Sequence, residues 1–250
     1  MIFFPGLDDS YNAHHLERCM ISVHRLSERR SGFKVAEWIL DSGAFTSVTR
    51  NGGYKTGSLP KYASQIVRWA SNGDLLAAVA QDYMCESFVL AKTGMTIAEH
   101  QRLTIYRYKA LRELVPENIY IMPVLQGYAP SDYTSHLRQY GNLLKLNQWV
   151  GVGSVCKRNS SPGAVEAVLT AIAKERPDLK LHGFGIKLTA LQSGIVQNLL
   201  YSSDSMAWSF AARYEGRDQH NIQECIRYIK KVETCPVQMN LFTSQIQAKV

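Results

Sequence analysis

Asp41 and Asp204 each close an apolar run, Trp38-Ile39-Leu40-Asp41 and Tyr201-Ser202-Ser203-Asp204. Two carboxylates delivered to one rim suit double displacement at a sugar carbon, one as nucleophile and the other moving protons. Ser203 and Ser205 flank Asp204 as donors that would keep a nucleophile ionised, whereas Asp41-Ser42-Gly43 reads equally as a turn or a helix cap. Two more apolar runs end on Asp82 and Gln126. A carboxylate accepts from the ring N–H and amino groups of a purine edge, and an amide both donates and accepts. The competing reading of this pair is a satisfied buried polar network. Gly127, directly after the amide, leaves room for a ligand. Gly151 and Gly153 either bring bare backbone up to a flat base or pack small residues tightly.

Aromatic side chains near such a rim would stack a heterocycle taken out of a helix. Phe45 and Tyr83 rank ahead of Trp208 for this, with Tyr128 and Phe184 also placed nearby and most of the set expected in the core. His182, in a strand before glycine, reads as a satisfied core histidine. His14, His15, His100 and His220 show no metal-ligand spacing, and Cys225 and Cys235 with His220 lack the spacing of a zinc site, so no metal is expected. Net charge is +7, a balance that favours polyanions because each neutralised phosphate releases counterions. The expected phosphate contacts are Lys157 and Arg158, just after the strand ending at Ser154, and Arg213 and Arg217, which follow Asp204.

These residues need a frame. Strands are predicted over 2–7, 37–41, 75–82, 119–126, 149–155, 180–186 and 200–206. Helical patterns lie between them: Tyr62, Ile66, Trp69 and Ala70 form one stripe, and Thr96-Ile97-Ala98-Glu99 is a capping box opening a helix that Pro116 closes. Ser161-Pro162 opens a helix that Arg176-Pro177 ends. Further helices are expected over 189–200 and 219–232. Strands alternating with helices over 250 residues point to an α/β chain folded as one (β/α)₈ TIM-type barrel domain over 1–250. Its eighth strand would be Val237-Gln238-Met239-Asn240-Leu241-Phe242, or the barrel is incomplete. A doubly wound open sheet is the rival, weakened because G-x-G-x-x-G is absent. The glycine-rich stretch from Gly52 to Gly57 is either a mobile lid or a connection. Five cysteines without a C-x-x-C pair argue against a disulfide framework. With no apolar run near the roughly 18 residues of a membrane span and no secretory pattern at Met1-Ile2-Phe3-Phe4, the expected home is the cytoplasm.

Read in order, the motifs resemble the queuine/archaeosine tRNA-guanine transglycosylase superfamily. They look most like its DpdA-type relatives, which exchange guanine in DNA for a 7-deazaguanine. The likeness runs from about Asp41 to Arg217. Asp41-Ser42-Gly43-Ala44-Phe45 is similar to the family's Asp-Ser/Thr-Gly-Gly-Phe signature, whose aspartate handles the protons of the exchanging bases. Asp82 matches its base-recognition aspartate, Gln126-Gly127 its base-contacting pair, Gly151 and Gly153 its glycine platform, and His182-Gly183-Phe184-Gly185 the strand before the nucleophile. Asp204 falls at the nucleophile. The family's zinc-binding cysteine cluster and the Pro-Thr-Arg run of its tRNA enzymes are missing, which favours DNA over tRNA. The resemblance implies a covalent aspartyl-sugar intermediate, a 7-deazaguanine such as preQ0 as incoming base, and no cofactor. An oligomer or a helper protein fits it too. A tRNA enzyme, a hydrolase or deoxyribosyltransferase of free nucleosides, and a non-catalytic nucleic-acid-binding paralogue are the alternatives.

Overall fold

A computed structural model describes residues 1–156 and 161–236. Nine strand segments are present: β1 (Ile2–Leu7), β2 (Arg18–Ser22), β3 (Glu37–Asp41), β4 (Asp74–Val79), β5 (Ile121–Met122), β6 (Val124–Leu125), β7 (Trp149–Val152), β8 (Lys180–Gly183) and β9 (Leu200–Ser205). They form one sheet in the order β5-β4-β3-β2-β1-β9-β8-β7-β6. Every pairing is parallel. The two outermost segments, β5 and β6, are halves of one strand separated only by Pro123, which has no N–H to give a ladder. Ahead of it Ala80 N–H donates to Met122 O at 2.9 Å, and from it Gly151 N–H donates to Pro123 O at 2.9 Å. The strand therefore changes partner from β4 to β7 at the proline. This is a nearly closed α/β TIM-type barrel with its seam at Pro123, and the open-sheet alternative falls away.

All seven expected strands are present, although the stretch 119–126 is broken and four others end short of their forecast. The remaining strand is β2. The expected candidate, Val237 to Phe242, lies outside the described residues. β2 is five residues long, and only the 3₁₀ turn Ser10–His15 separates it from β1. No amphipathic helix announces it, so pattern reading passes over it.

The helices are α1 (Val23–Leu26), α2 (Ala44–Asn51), α3 (Ser58–Trp69), α4 (Ser87–Thr93), α5 (Ile97–Leu114), α6 (Pro130–Tyr140), α7 (Pro162–Glu175), α8 (Leu188–Leu191), α9 (Gly194–Leu199), α10 (Ala207–Tyr214) and α11 (Ile222–Glu233). The Thr96 capping box forms as its sequence requires: Thr96 Oγ1 accepts from Glu99 N–H at 3.3 Å, and Glu99 Oε2 accepts from Thr96 N–H at 2.8 Å. The stretch 189–200 is two short helices rather than one. Gly52 to Gly57 is a connection fastened by Tyr54, whose hydroxyl donates to Asp82 O at 3.1 Å.

Side chains alternate across each strand, and the core divides accordingly. Phe4, Met20, Ile39, Ala77, Val79, Met122 and Val124 fill the barrel interior. Their neighbours on the other face, among them Phe3, Trp38, Leu40 and Val150, join Tyr62, Ile66, Leu111 and Val168 of the helices in the outer core. No helix among the described residues is long and apolar enough to cross a membrane.

Candidate active site

The interior parity that runs through Ile39 reaches Asp41 two residues later. The same count takes Met20 to Ser22, Val124 to Gln126, Gly151 to Gly153, His182 to Phe184 and Ser202 to Asp204. Register holds these ends level, with Ser22 opposite Asp41 and Asp204 opposite Phe4. The result is one cavity of about 470 Å³ at the carboxyl rim, lined by Asp41, Asp82, Gln126, Gly153, Phe184 and Asp204 together. That volume suits a single small ligand.

Asp204 is held from two sides. Gly185 N–H donates to its Oδ1 at 3.0 Å, and His182 Nε2 stands 3.3 Å from the same oxygen without hydrogen-bond geometry. Gly185 needs a left-handed φ of 64° to present that N–H, a conformation glycine adopts freely. Oδ2 makes no hydrogen bond among the described residues. Behind the histidine, Trp149 Nε1–H donates to Ser202 Oγ at 2.8 Å, and Ser202 Oγ lies 2.9 Å from His182 Nδ1. Indole N–H is a donor only. Ser202 Oγ therefore accepts from Trp149 and keeps both a hydrogen and a second lone pair with which to meet Nδ1, while Nε2 faces Asp204.

Asp41 Oδ2 accepts from Gly43 N–H at 3.2 Å. Its pKa is raised, first by burial, with a Ser22 hydrogen bond working against the shift and repulsion from Asp204 adding to it. Gly43 sits at φ 68°, and a Cβ there would collide with the His24 ring. His24 Nε2 lies 3.1 Å from Gly43 O and 3.3 Å from Ser47 Oγ, tying α1 to α2.

Asp82 is buried and accepts from the Gln126 amide. Burial pushes its pKa up to about 7, against the opposing Gln126 hydrogen bond. Gln126 Oε1 accepts from Ser154 Oγ at 2.7 Å, and Ser154 Oγ lies 2.9 Å from Glu86 Oε2 while accepting from Cys85 N–H at 2.8 Å. The Gln126 backbone is fixed as well. Its N–H donates to His136 Nδ1 at 2.9 Å, and its carbonyl accepts from Gln101 Nε2 at 2.8 Å. Burial drives the His136 pKa down to about 3, so this ring is a neutral acceptor. A Cβ on Gly153 would run into the Gln126 amide. The cavity wall thus presents a carboxylate, an amide and bare backbone, with donors and acceptors set in advance for a planar polar heterocycle.

The structure brings Asp41, Gly43, Phe45, Asp82, Gln126, Gly153 and Asp204 to the cavity. Gly185 touches Asp204 from behind. Gly151 faces the interior one layer below, where the Phe184 ring fills the space a side chain would need. Ser42 and Tyr83 are buried off the cavity, Tyr83 with its ring 5.3 Å from those of both Tyr54 and His100. Gly127 packs against Asp132 and Tyr133 of α6. Arg217 pairs with Glu215 and Glu224, and Arg213 lies over Phe210; both stand on other parts of the surface. Lys157 and Arg158 lie outside the described residues. Trp208 is buried, its Nε1–H donating to Gly6 O at 2.8 Å.

Ser22, His24, Arg25, Arg50, Glu86 and Ser154 also line the cavity and escaped the sequence reading. The first three follow from β2, and the parity rule applied to Arg18–Ser22 would have found Ser22. Glu86 lies well beyond the end of β4, and Ser154 sits just past the end of β7 at a left-handed φ of 56°, where strand periodicity no longer reports on direction.

A family model described as DpdA, DeoxyPurine in DNA protein A, matches residues 12–239, and the chain belongs to that family. No curated protein matches the chain.

Proposed function

We propose, with membership of the DpdA family as the premise, that this protein exchanges guanine in DNA for a 7-deazaguanine such as preQ0 through a covalent aspartyl-sugar intermediate. The observation that carries the reading is the meeting of Asp41, Asp82, Gln126 and Asp204 in one cavity. The target guanine leaves the stack, at a cost of a few kcal/mol, and its donor edge meets Asp82 while Gln126 and the Gly153 backbone fix its orientation. Asp204 Oδ2 attacks C1′ as the C1′–N9 bond breaks. The departing purine takes a proton from Asp41, whose pKa burial raises. The incoming base returns a proton to Asp41, its nitrogen bonds to C1′, and the Asp204 ester oxygen leaves. Two inversions give net retention. No step draws on a metal or a redox group.

Support for the assignment of roles is geometric: Asp204 has an unengaged oxygen, and Asp41 is desolvated beside a second acid. The family description supports DNA rather than tRNA as the polymer. The test is direct. DNA incubated with the protein and preQ0 is digested to nucleosides and weighed by mass spectrometry, with tRNA in a parallel arm. A deazapurine deoxynucleoside is the expected product. Modified tRNA alone, or free-nucleoside turnover without modified polymer, overturns the reading.

A further inference from the structure

The cavity is acidic inside and basic at its lip. Asp41, Asp82, Glu86 and Asp204 line the interior, while Arg25 and Arg50 stand at the edge. Both arginines are exposed, and neither makes a hydrogen bond or ion pair among the described residues. This is unusual company for a guanidinium within a cavity holding four carboxylates, and it separates these two from Arg217, which is engaged by two acids. Arg25 belongs to α1 and Arg50 to the last turn of α2. His24 ties those helices together through Gly43 O and Ser47 Oγ, so the two cations are presented on one side of the opening. Beside them lies Phe45, which lines the cavity and is 47% exposed, with the equally exposed Phe88 at a ring separation of 6.3 Å.

We propose that Arg25 and Arg50 form a phosphodiester clamp that holds the DNA strand at the lip while its base enters the cavity, with Phe45 and Phe88 giving the neighbouring base an aromatic face. The proposal rests on the base-exchange reading and names the surface that reading requires. A phosphate is disfavoured by an interior lined with four acidic side chains and attracted by two guanidiniums that have no ion pair among the described residues, so the charge arrangement itself sorts backbone from base. Phosphate contacts position a nucleic acid without reading its sequence, and stacking on an aromatic face is equally tolerant of sequence.

Binding of a labelled single-stranded DNA is measured against salt concentration for the wild type, Arg25→Gln/Arg50→Gln and Arg25→Lys/Arg50→Lys, with binding of free guanine measured beside it. The Gln variant is expected to bind DNA at least tenfold more weakly at low salt. Its log–log salt slope should be shallower by roughly 1.4, at about 0.7 per lost single-strand contact. The Lys variant is expected to keep the slope, and all three proteins should bind guanine alike, which also reports an intact fold. An unchanged slope in the Gln variant overturns the clamp, as does an equal loss in the Lys variant or a wild type that prefers RNA of the same sequence. Failure of base exchange in the wild type, with the slope difference intact, would count against the catalytic reading and leave the clamp standing.

Discussion

His182 Nε2 lies 3.3 Å from Asp204 Oδ1, the same oxygen that accepts from Gly185 N–H. Trp149 and Ser202 fix the histidine from the far side, and the rings of Phe4 and Phe184 enclose it. The arrangement holds one oxygen of Asp204 in place and leaves its partner oxygen toward the cavity. Under the proposed mechanism His182 is a positioning residue, acting through Asp204 rather than on substrate. His182→Leu is expected to slow formation of the covalent adduct by about 100-fold, the scale of a small misplacement of a reacting group, with guanine affinity unchanged. Single-turnover trapping of the protein–DNA adduct measures the first and equilibrium binding the second. A matching loss of guanine affinity would show that the histidine supports the whole cavity instead.

Asp82 predicts a pH dependence of two kinds. Its pKa of about 7 in the fold compares with about 3.9 in an unfolded chain. The folded state therefore holds a proton that the unfolded state has lost between these values. The neutral acid's contribution to stability is complete below the lower value and is lost as pH rises through the higher one. Asp82→Asn removes the ionisation, so its stability relative to wild type should improve from pH 4 to pH 7 and level off above, by up to the order of 4 kcal/mol. Urea midpoints at several pH values test this. Purine donors need the ionised acid, so guanine binding to the wild type should tighten about tenfold per pH unit up to 7, and binding to Asp82→Asn should be flat and weaker by about 1–3 kcal/mol.

The barrel was legible because parallel strands covered on both faces leave continuous apolar runs, as in Trp38 to Leu40 and Ala77 to Ala80. The polar residue ending each run then names the rim, which is how Asp41, Asp82, Gln126 and Asp204 emerge from sequence. What stayed hidden lacks such a mark. β2 is short and enters without a helix. Pro123 inside an apolar run reads as a defect in one strand and is in fact the switch between two neighbours. Gly127 and Tyr83 follow rim residues directly in sequence, but a strand end turns its next side chain away from the interior, toward α6 in one case and Tyr54 in the other. Arg25 and Arg50 are two cations among 28, distinguished only by the tertiary contact His24 makes.

Gly153 tests whether Gln126 must stand where it does. A methyl group there meets the Gln126 amide, which in turn bonds Asp82. Gly153→Ala should displace the amide, leave Asp82 without its donor, and weaken guanine binding by roughly tenfold or more. Adduct formation on a strand saturating the protein should suffer less, because Asp204 and His182 lie on other strands. Equal losses in both measurements would mean that the substitution disturbs the barrel rather than the base wall.

Asp41 and Asp204 line the same cavity, yet their removal should look different. Without Asp204 no ester forms, and Asp204→Asn should yield no trapped adduct at any incubation time. In the proposed mechanism Asp41 lends a proton to the leaving purine and takes one from the incoming base, so Asp41→Asn keeps the nucleophile and loses both transfers. General acid–base catalysis contributes about 10²- to 10⁴-fold, and the adduct should still appear, more slowly by about that factor. Turnover should fall further, because the second half of the reaction needs the same group. Relief of repulsion works in the opposite sense: neutralising Asp41 removes a carboxylate that bears on its neighbour across the cavity, which predicts a more stable fold for Asp41→Asn above neutral pH. A variant that is more stable, slow to form adduct and slower to resolve it would fit the assigned roles. Loss of the adduct in Asp41→Asn with its survival in Asp204→Asn would reverse them.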